Sequence, residues 1–285
     1  MTKQEKVQLQ KMACRIRMGV VESTHAAKSG HPGGSLSAAD VFAYLYGKEM
    51  RIDPQDPQKA DRDRFVLSKG HCAPGLYAAL ALRGYFPWEA LLTLRHVGSF
   101  LQGHPNMRMT PGVDMSTGSL GQGVSTACGM ALAAKHKGMD VNVFTLLGDG
   151  ESDEGQVWEA FMFAAHYKLD NLCVMIDLNG LQIDGATKDV MDLGDMQKKM
   201  EAFGFATVTI DGNDFDEIER AFAAFHAGKG SGKPTALLLN TLKGKGVSFM
   251  EGQVDWHGKG PNDAECAQAL EELRAQYAAL EKEAE

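Results

Sequence analysis

The chain has 285 residues, 44% of them hydrophobic, and a formal net charge of −8. Such a length is long for one domain and short for two ordinary ones and decides nothing alone. The hydrophobic share fits a globular protein with a sizeable core, and the negative balance argues against general affinity for nucleic acid or an anionic membrane. Any anionic ligand must therefore be captured locally, by a metal, a few bases or helix N-termini. The five cysteines (Cys14, Cys72, Cys128, Cys173, Cys266) are scattered, odd in number and form no CxxC pair, which leaves reduced, mostly buried thiols. The N-terminal MTKQEKVQLQ lacks the apolar core of a signal peptide, and no apolar run approaches the ~20 residues of a membrane span. A cytoplasmic protein is expected.

In chain order, residues 3–28 carry apolar residues at helical spacing (Val7, Leu9, Met12, Ile16, Val20, Val21) and read as a first helix. SGHPGG at 29–34 breaks it, and Ser35 or Ser37 is placed to cap a helix holding Val41, Phe42 and Leu45. RFVLS is a short strand, and KGHCAPGLYAALAL a turn running into an apolar helix. Residues 96–119 are rich in Gly and Pro, with little periodicity; so long a loop is either functional or a plain connector. LGQGVSTACGMALAAKHKG reads as a helix. VNVFTLLG and LCVMIDLNG are nearly continuous apolar runs, the pattern of strands buried on both faces of a parallel sheet, and EGQVWEAFMFAAHYKL between them completes a βαβ unit. ATVTIDG and TALLLNTLKG add two strands around the helix NDFDEIERAFAAFHAG. From about residue 262 a charged amphipathic helix closes the chain, which on that ground is expected to be complete. The expected architecture is a single α/β domain over 1–285, a mainly parallel sheet with helices on both faces.

Ligands of such sheets sit at the carboxyl ends of the strands. Asp149, in Gly148-Asp149-Gly150, ends the first central strand, and Asn179 ends the second, after one crossover helix. A carboxylate and a carboxamide are hard oxygen ligands suited to Mg2+ or Ca2+, and so small a set fits a shell completed by water and phosphate oxygens. Glycines beside Asp149 let backbone N–H groups approach those oxygens. Taken singly, each residue also suits an ordinary turn. Two other segments carry less: GKGSGKPT at 228–235 is one residue short of a phosphate loop and precedes a strand, and GSLGQG at 118–123 follows none.

GDG followed by Asn resembles the thiamine-diphosphate motif, and its surroundings resemble the N-terminal part of transketolase. Support comes from KSGHPGGSLS, DRFVLSKGH, GHP at 103–105, STGSLGQG and DWHGKGP, in the family's order. The resemblance implies the thiamine-diphosphate-binding fold, with Asp149, Asn179 and the main-chain carbonyl of Leu181 on the metal. It implies that Gly150 donates to the diphosphate beside His71 and His257, and that Ile183 packs on the thiazolium ring. Gly118 and Leu120 would lie near the aminopyrimidine, and His31 and His104 would face the donor sugar, with His71 and His257 bordering the same pocket. Glu154 would join an acidic network between the active sites of a dimer. Lys243 is placed near the diphosphate or, as readily, in solvent. Histidines 25, 96, 136, 166 and 226 are expected on helices or the surface.

In the family a second domain binds the aminopyrimidine and supplies the activating glutamate, the stacking aromatic residue and the arginines that hold the sugar phosphate; none is assignable here. The expectation is the N-terminal subunit of a split enzyme, working with a C-terminal subunit that carries the pyrimidine-binding and C-terminal domains, in a heterotetramer of two plus two. The implied reaction is two-carbon ketol transfer between sugar phosphates in the pentose phosphate pathway. The alternatives are a ketolase dedicated to an unusual sugar phosphate and a non-catalytic cofactor-binding subunit.

Overall fold

The computed structural model describes residues 1–284. Helix α1 (Lys3–Ala27) starts from a capping box: Thr2 Oγ1 accepts from Glu5 N at 3.2 Å, and Glu5 Oε2 accepts from Thr2 N at 2.7 Å. Two short helices follow, α2 (Pro32–Ser37) and α3 (Ala39–Tyr44). Neither serine expected as a cap acts as one: Ser35 and Ser37 lie within α2, whose N-cap is His31. Ser37 Oγ turns inward, because a buried carboxylate on the sheet is within its reach.

Strand β1 (Arg64–Leu67), α4 (Ala73–Leu82), α5 (Gln122–His136), β2 (Val143–Gly148), α6 (Gly155–His166) and β3 (Leu172–Leu178) follow. Residues 96–119 contain no helix or strand. After β3 comes a hairpin that periodicity does not predict, β4 (Leu181–Gln182) with β5 (Gly185–Ala186). Then come α7 (Thr187–Val190), α8 (Met196–Ala202), β6 (Ala206–Asp211), α9 (Phe215–Ala227), β7 (Thr235–Asn240) and α10 (Asp263–Ala284).

The main sheet is parallel throughout, in the order β1-β2-β3-β7-β6. β2 is fully buried and β3 nearly so, as their unbroken apolar runs require. One face packs on α5, α6 and α8 through Val124, Phe161, Met200 and Phe205; the other packs on α1, α3, α4 and α9 through Ile16, Phe42, Tyr77 and Phe222. α6 and α9 thus cover opposite faces. The chain reverses its direction of travel across the sheet between β3 and β7, where a crevice opens beyond the strand ends. α10 lies along α1, sealing Val20, Trp256 and Leu273. All five cysteines are buried and none is bridged. Among the described residues no helix is long and apolar enough to cross a membrane.

Candidate functional site

Register decides which strand-end residues meet. β2 pairs with β3 so that Gly148 stands opposite Asp177, which puts Asp149 beside the turn at residues 179–180. The Asp149 carboxylate joins both loops: Oδ1 accepts from Gly150 N at 2.8 Å and Oδ2 from Gly180 N at 2.7 Å. Burial, reinforced by nearby Asp177, raises its pKa to about 6. Asn179 is oriented at both ends, its Nδ2 donating to Asp177 Oδ2 at 2.8 Å and its Oδ1 accepting from Leu181 N at 3.2 Å. Gly150 has no room for a side chain, since a Cβ there would lie 2.6 Å from Gln182 Oε1.

Beneath these loops lies a buried polar layer that sequence reasoning missed. Lys69 Nζ donates to Asp177 Oδ2 at 2.5 Å, with both side chains almost wholly excluded from water. Asp177 also accepts from Ser37 Oγ at 2.7 Å and from Thr241 Oγ1. Burial opposes its ionisation, but the Lys69 ammonium and these hydroxyls outweigh it and hold Asp177 below the usual carboxylate range. Glu151 is a second tie: Oε1 accepts from Ser68 Oγ at 2.5 Å and Gly121 N at 2.9 Å, and Oε2 from Gly148 N at 3.1 Å. One signal was available in the sequence, an aspartate inside the apolar run LCVMIDL.

Four imidazoles gather across the crevice. The His31 ring lies 5.2 Å from His71, 5.5 Å from His257 and 6.4 Å from His104, and His71 lies 5.3 Å from His257. They come from the α1–α2 turn, the turn after β1, the long 96–119 loop and a short turn before α10. Burial is the main cause of lowered basicity, taking His31 and His257 to about 3 and His71 to about 4 and lowering His104. Neighbouring cations add to it: Arg95 beside His31, Lys69 beside His71, Lys243 beside His257. Partners also set the tautomers. Arg95 Nη2 lies 3.3 Å from His31 Nδ1 and Lys243 Nζ 2.9 Å from His257 Nδ1. Both partners are donors, so each Nδ1 accepts and each Nε2 carries the proton. Histidines 25, 136, 166 and 226 belong to helices and His96 lies in the long loop, all away from the crevice.

The crevice is a cavity of about 340 Å3. His31, His71, His104 and His257 line it, with Asp149, Gly150, Asn179 and Leu181 at its floor and Gly118, Leu120, Ile183 and Lys243 on its walls. Ile183 stands at the rim, 66% exposed, and Lys243 is 2% exposed, so the solvent-facing alternative for that lysine does not hold. Lys69, Glu151 and Gln182 also reach the lining. Glu154 is exposed at the N-cap of α6, outside the cavity lining. The loop at 228–234 lies between α9 and β7, clear of the cavity.

The donor set suits a hard cation that brings further ligands of its own. Among the described residues no group of three His, Cys, Asp or Glu side chains is placed to hold a metal. Asp149, Asn179 and the Leu181 carbonyl instead offer three oxygens to one cavity, and that carbonyl already accepts from the Lys243 ammonium at 3.0 Å. A buried carboxylate pushed up to about 6 gains from an added positive charge. Gln182 Oε1 is buried without a hydrogen-bond partner beside Gly150, a polar atom left for a ligand to satisfy.

Residues 8–281 match the family described as transketolase, thiamine diphosphate binding domain. The 6-deoxy-6-sulfo-D-fructose transketolase subunit SqwG of a Clostridium species is 47% identical, over 96% of this chain and 99% of that protein. An apulose-4-phosphate transketolase subunit of Phocaeicola vulgatus is 42% identical, over 98% of each chain. A transketolase structure from Pichia stipitis superposes with a TM-score of 0.87 at 32% identity, covering 98% of this chain and 44% of that one. The chain thus spans nearly all of the subunit relatives and less than half of the solved transketolase. Through the matched model and these relatives, the chain belongs to the enzymatic transketolase family, as its thiamine-diphosphate-binding domain.

Proposed function

We propose that this chain anchors thiamine diphosphate through a divalent metal, Mg2+ or Ca2+, at Asp149, Asn179 and Leu181. With a separate C-terminal subunit, in an assembly of two plus two, it transfers a two-carbon ketol unit from a ketose phosphate to an aldose phosphate. The observation that carries this reading is the convergence of four histidines and three oxygen ligands on one cavity at the strand ends. Bound thiamine diphosphate supplies the carbanion and electron sink that ketol transfer needs. This chain's part is to hold and orient. Gly150 and Lys243 would hold the diphosphate, and Ile183, Gly118 and Leu120 would flank the rings. His31 and His257, neutral with the proton on Nε2, can each donate to a sugar or phosphate oxygen and take part in proton transfer without a charge to neutralise. Glu154, exposed at the N-cap of α6 and outside the cavity lining, would serve contact with a second subunit rather than the cavity.

The test is ketol transfer by this chain alone, and by this chain with a C-terminal transketolase subunit, beside calorimetry of thiamine diphosphate with Mg2+ on the assembled pair. Activity is expected only from the pair, and Asp149→Ala is expected to abolish cofactor binding and turnover. Full activity from the lone chain, or an unaffected Asp149→Ala, would overturn the reading. A second reading, a ketolase for an unusual sugar, is favoured by relatives named for 6-deoxy-6-sulfo-D-fructose and apulose 4-phosphate. A panel of donors on the assembled pair separates the two.

A further inference from the structure

A second cavity, of about 360 Å3, opens between α1, α10 and the turn after β6. α1 presents one face to it, with Lys6, Gln10, Cys14 and Arg17 at three- and four-residue spacing. Arg17 is the unusual member. Its side chain is only 8% exposed, and Nη2 donates to Asp40 Oδ2 at 2.6 Å. Its Nε is buried and has no partner among the described residues, so the guanidinium is underused for so buried a group. Lys245, also in the lining, pairs with no carboxylate among the described residues, whereas Lys6 is bound to Asp216 at 2.5 Å.

The acids nearby are already engaged. Asp214 caps α9 through the backbone N–H groups of Asp216 and Glu217, and Asp40 Oδ2 is shared between Arg17 and Asn213 Nδ2, the latter at 2.8 Å. The rest of the wall is neutral amide (Gln10, Gln276) and apolar (Phe215, Leu280). Lys245 and the unpartnered Nε of Arg17 lie in one pocket whose two carboxylates, Asp40 and Asp214, are already hydrogen-bonded, and together they suit one tetrahedral anion: the guanidinium offers a remaining N–H donor and the ammonium a point charge. We propose that this cavity binds a small phosphate-bearing metabolite, held by Arg17 and Lys245. The site is separate from the ketol-transfer cavity, yet the two are joined by buried hydrogen bonds. Asn213 Nδ2 also donates to Ser37 O at 3.1 Å, and Ser37 Oγ donates to Asp177 Oδ2 at 2.7 Å.

The test uses the full chain labelled with 15N-arginine and 15N-histidine and titrated with inorganic phosphate. The buried Arg17 Nε–H gives a local signal, assigned by its loss in Arg17→Lys. Two variants leave the ketol-transfer cavity untouched and lie on accessible positions, so folding is retained: Lys245→Gln, and Gln276→Glu, which puts a carboxylate into the pocket mouth. The expected result is a saturable shift of the Arg17 signal. Each variant should weaken the apparent affinity about tenfold, the scale of one lost or repelled charge-assisted hydrogen bond. No saturable shift at Arg17, an equal shift in both variants, or a response confined to the His31 and His71 ring signals would each overturn the proposal.

Discussion

Glu151 offers a sharp test of how the cavity floor is held. Its carboxylate is 3% exposed and accepts three hydrogen bonds, from Ser68 at the end of β1, Gly121 before α5 and Gly148 at the end of β2. Ser68 Oγ in turn accepts from Val124 N at 3.2 Å, so one side chain fastens three chain segments. Glu151→Ala leaves these donors facing a hole. At about 1–3 kcal/mol for each unsatisfied buried donor, less what entering water recovers, the loss is about 3–5 kcal/mol. Glu151→Gln keeps the shape but replaces one acceptor oxygen by an NH2 group that must face a donor. Burial raises the Glu151 pKa despite its hydrogen bonds, so neutralising the group recovers part of the loss and leaves about 2 kcal/mol. Urea denaturation at constant m-value measures both variants. An Ala variant within about 1 kcal/mol of the parent, or no worse than Gln, would refute the assignment of Glu151 as the tie between these segments.

Lys69→Met strands the Asp177 carboxylate in the interior. Unfolding free energy should fall by about 3–5 kcal/mol, and Lys69→Met combined with Asp177→Leu should regain at least half of the loss in the same denaturation assay. Gly150→Ala pushes a Cβ to 2.6 Å from Gln182 Oε1; it should cost about 1–3 kcal/mol of stability and, in the assembled pair, weaken thiamine diphosphate binding measured by calorimetry. His31 and His71 should stay neutral throughout pH 5–8, so their ring NMR signals should not titrate in that range. Their folded pKa values lie below the unfolded one. The unfolded chain therefore takes up protons first, and their stabilising contribution, complete above about pH 6.5, declines as pH falls toward about 4. Asp149, raised to about 6, acts in the opposite sense over the same range, so the check is the difference between variants. His71→Asn should lose less Tm than the parent, or gain more, on going from pH 7 to pH 5, and an identical change in both would contradict this.

The amino-acid sequence by itself determined the long helices, the five strands of the main sheet and the two strand-end residues of the site, but not the β4–β5 hairpin or the short helices α7 and α8. β2 and β3 were legible because strands buried on both faces need unbroken apolar runs, and Asp149 and Asn179 because polar residues directly after such runs fall at the sheet's carboxyl edge. The histidine motifs carry the family resemblance, and the gathering of His31, His71, His104 and His257 in one cavity is what that resemblance implies. Tertiary structure alone decided the rest. Lys69 and Asp177 are 108 positions apart, and nothing local marks them as partners. Local sequence leaves Lys243 near the diphosphate or in solvent; the insertion of β7 between β3 and β6 carries it under the Leu181 carbonyl and against His257. Ser37 looked like a helix cap, yet its hydroxyl serves Asp177 on the sheet. Periodicity and turn chemistry act over a few residues and can be read along the chain. Charge pairing and the satisfaction of buried donors depend on which strands lie side by side, and strand order is fixed only when the whole core packs.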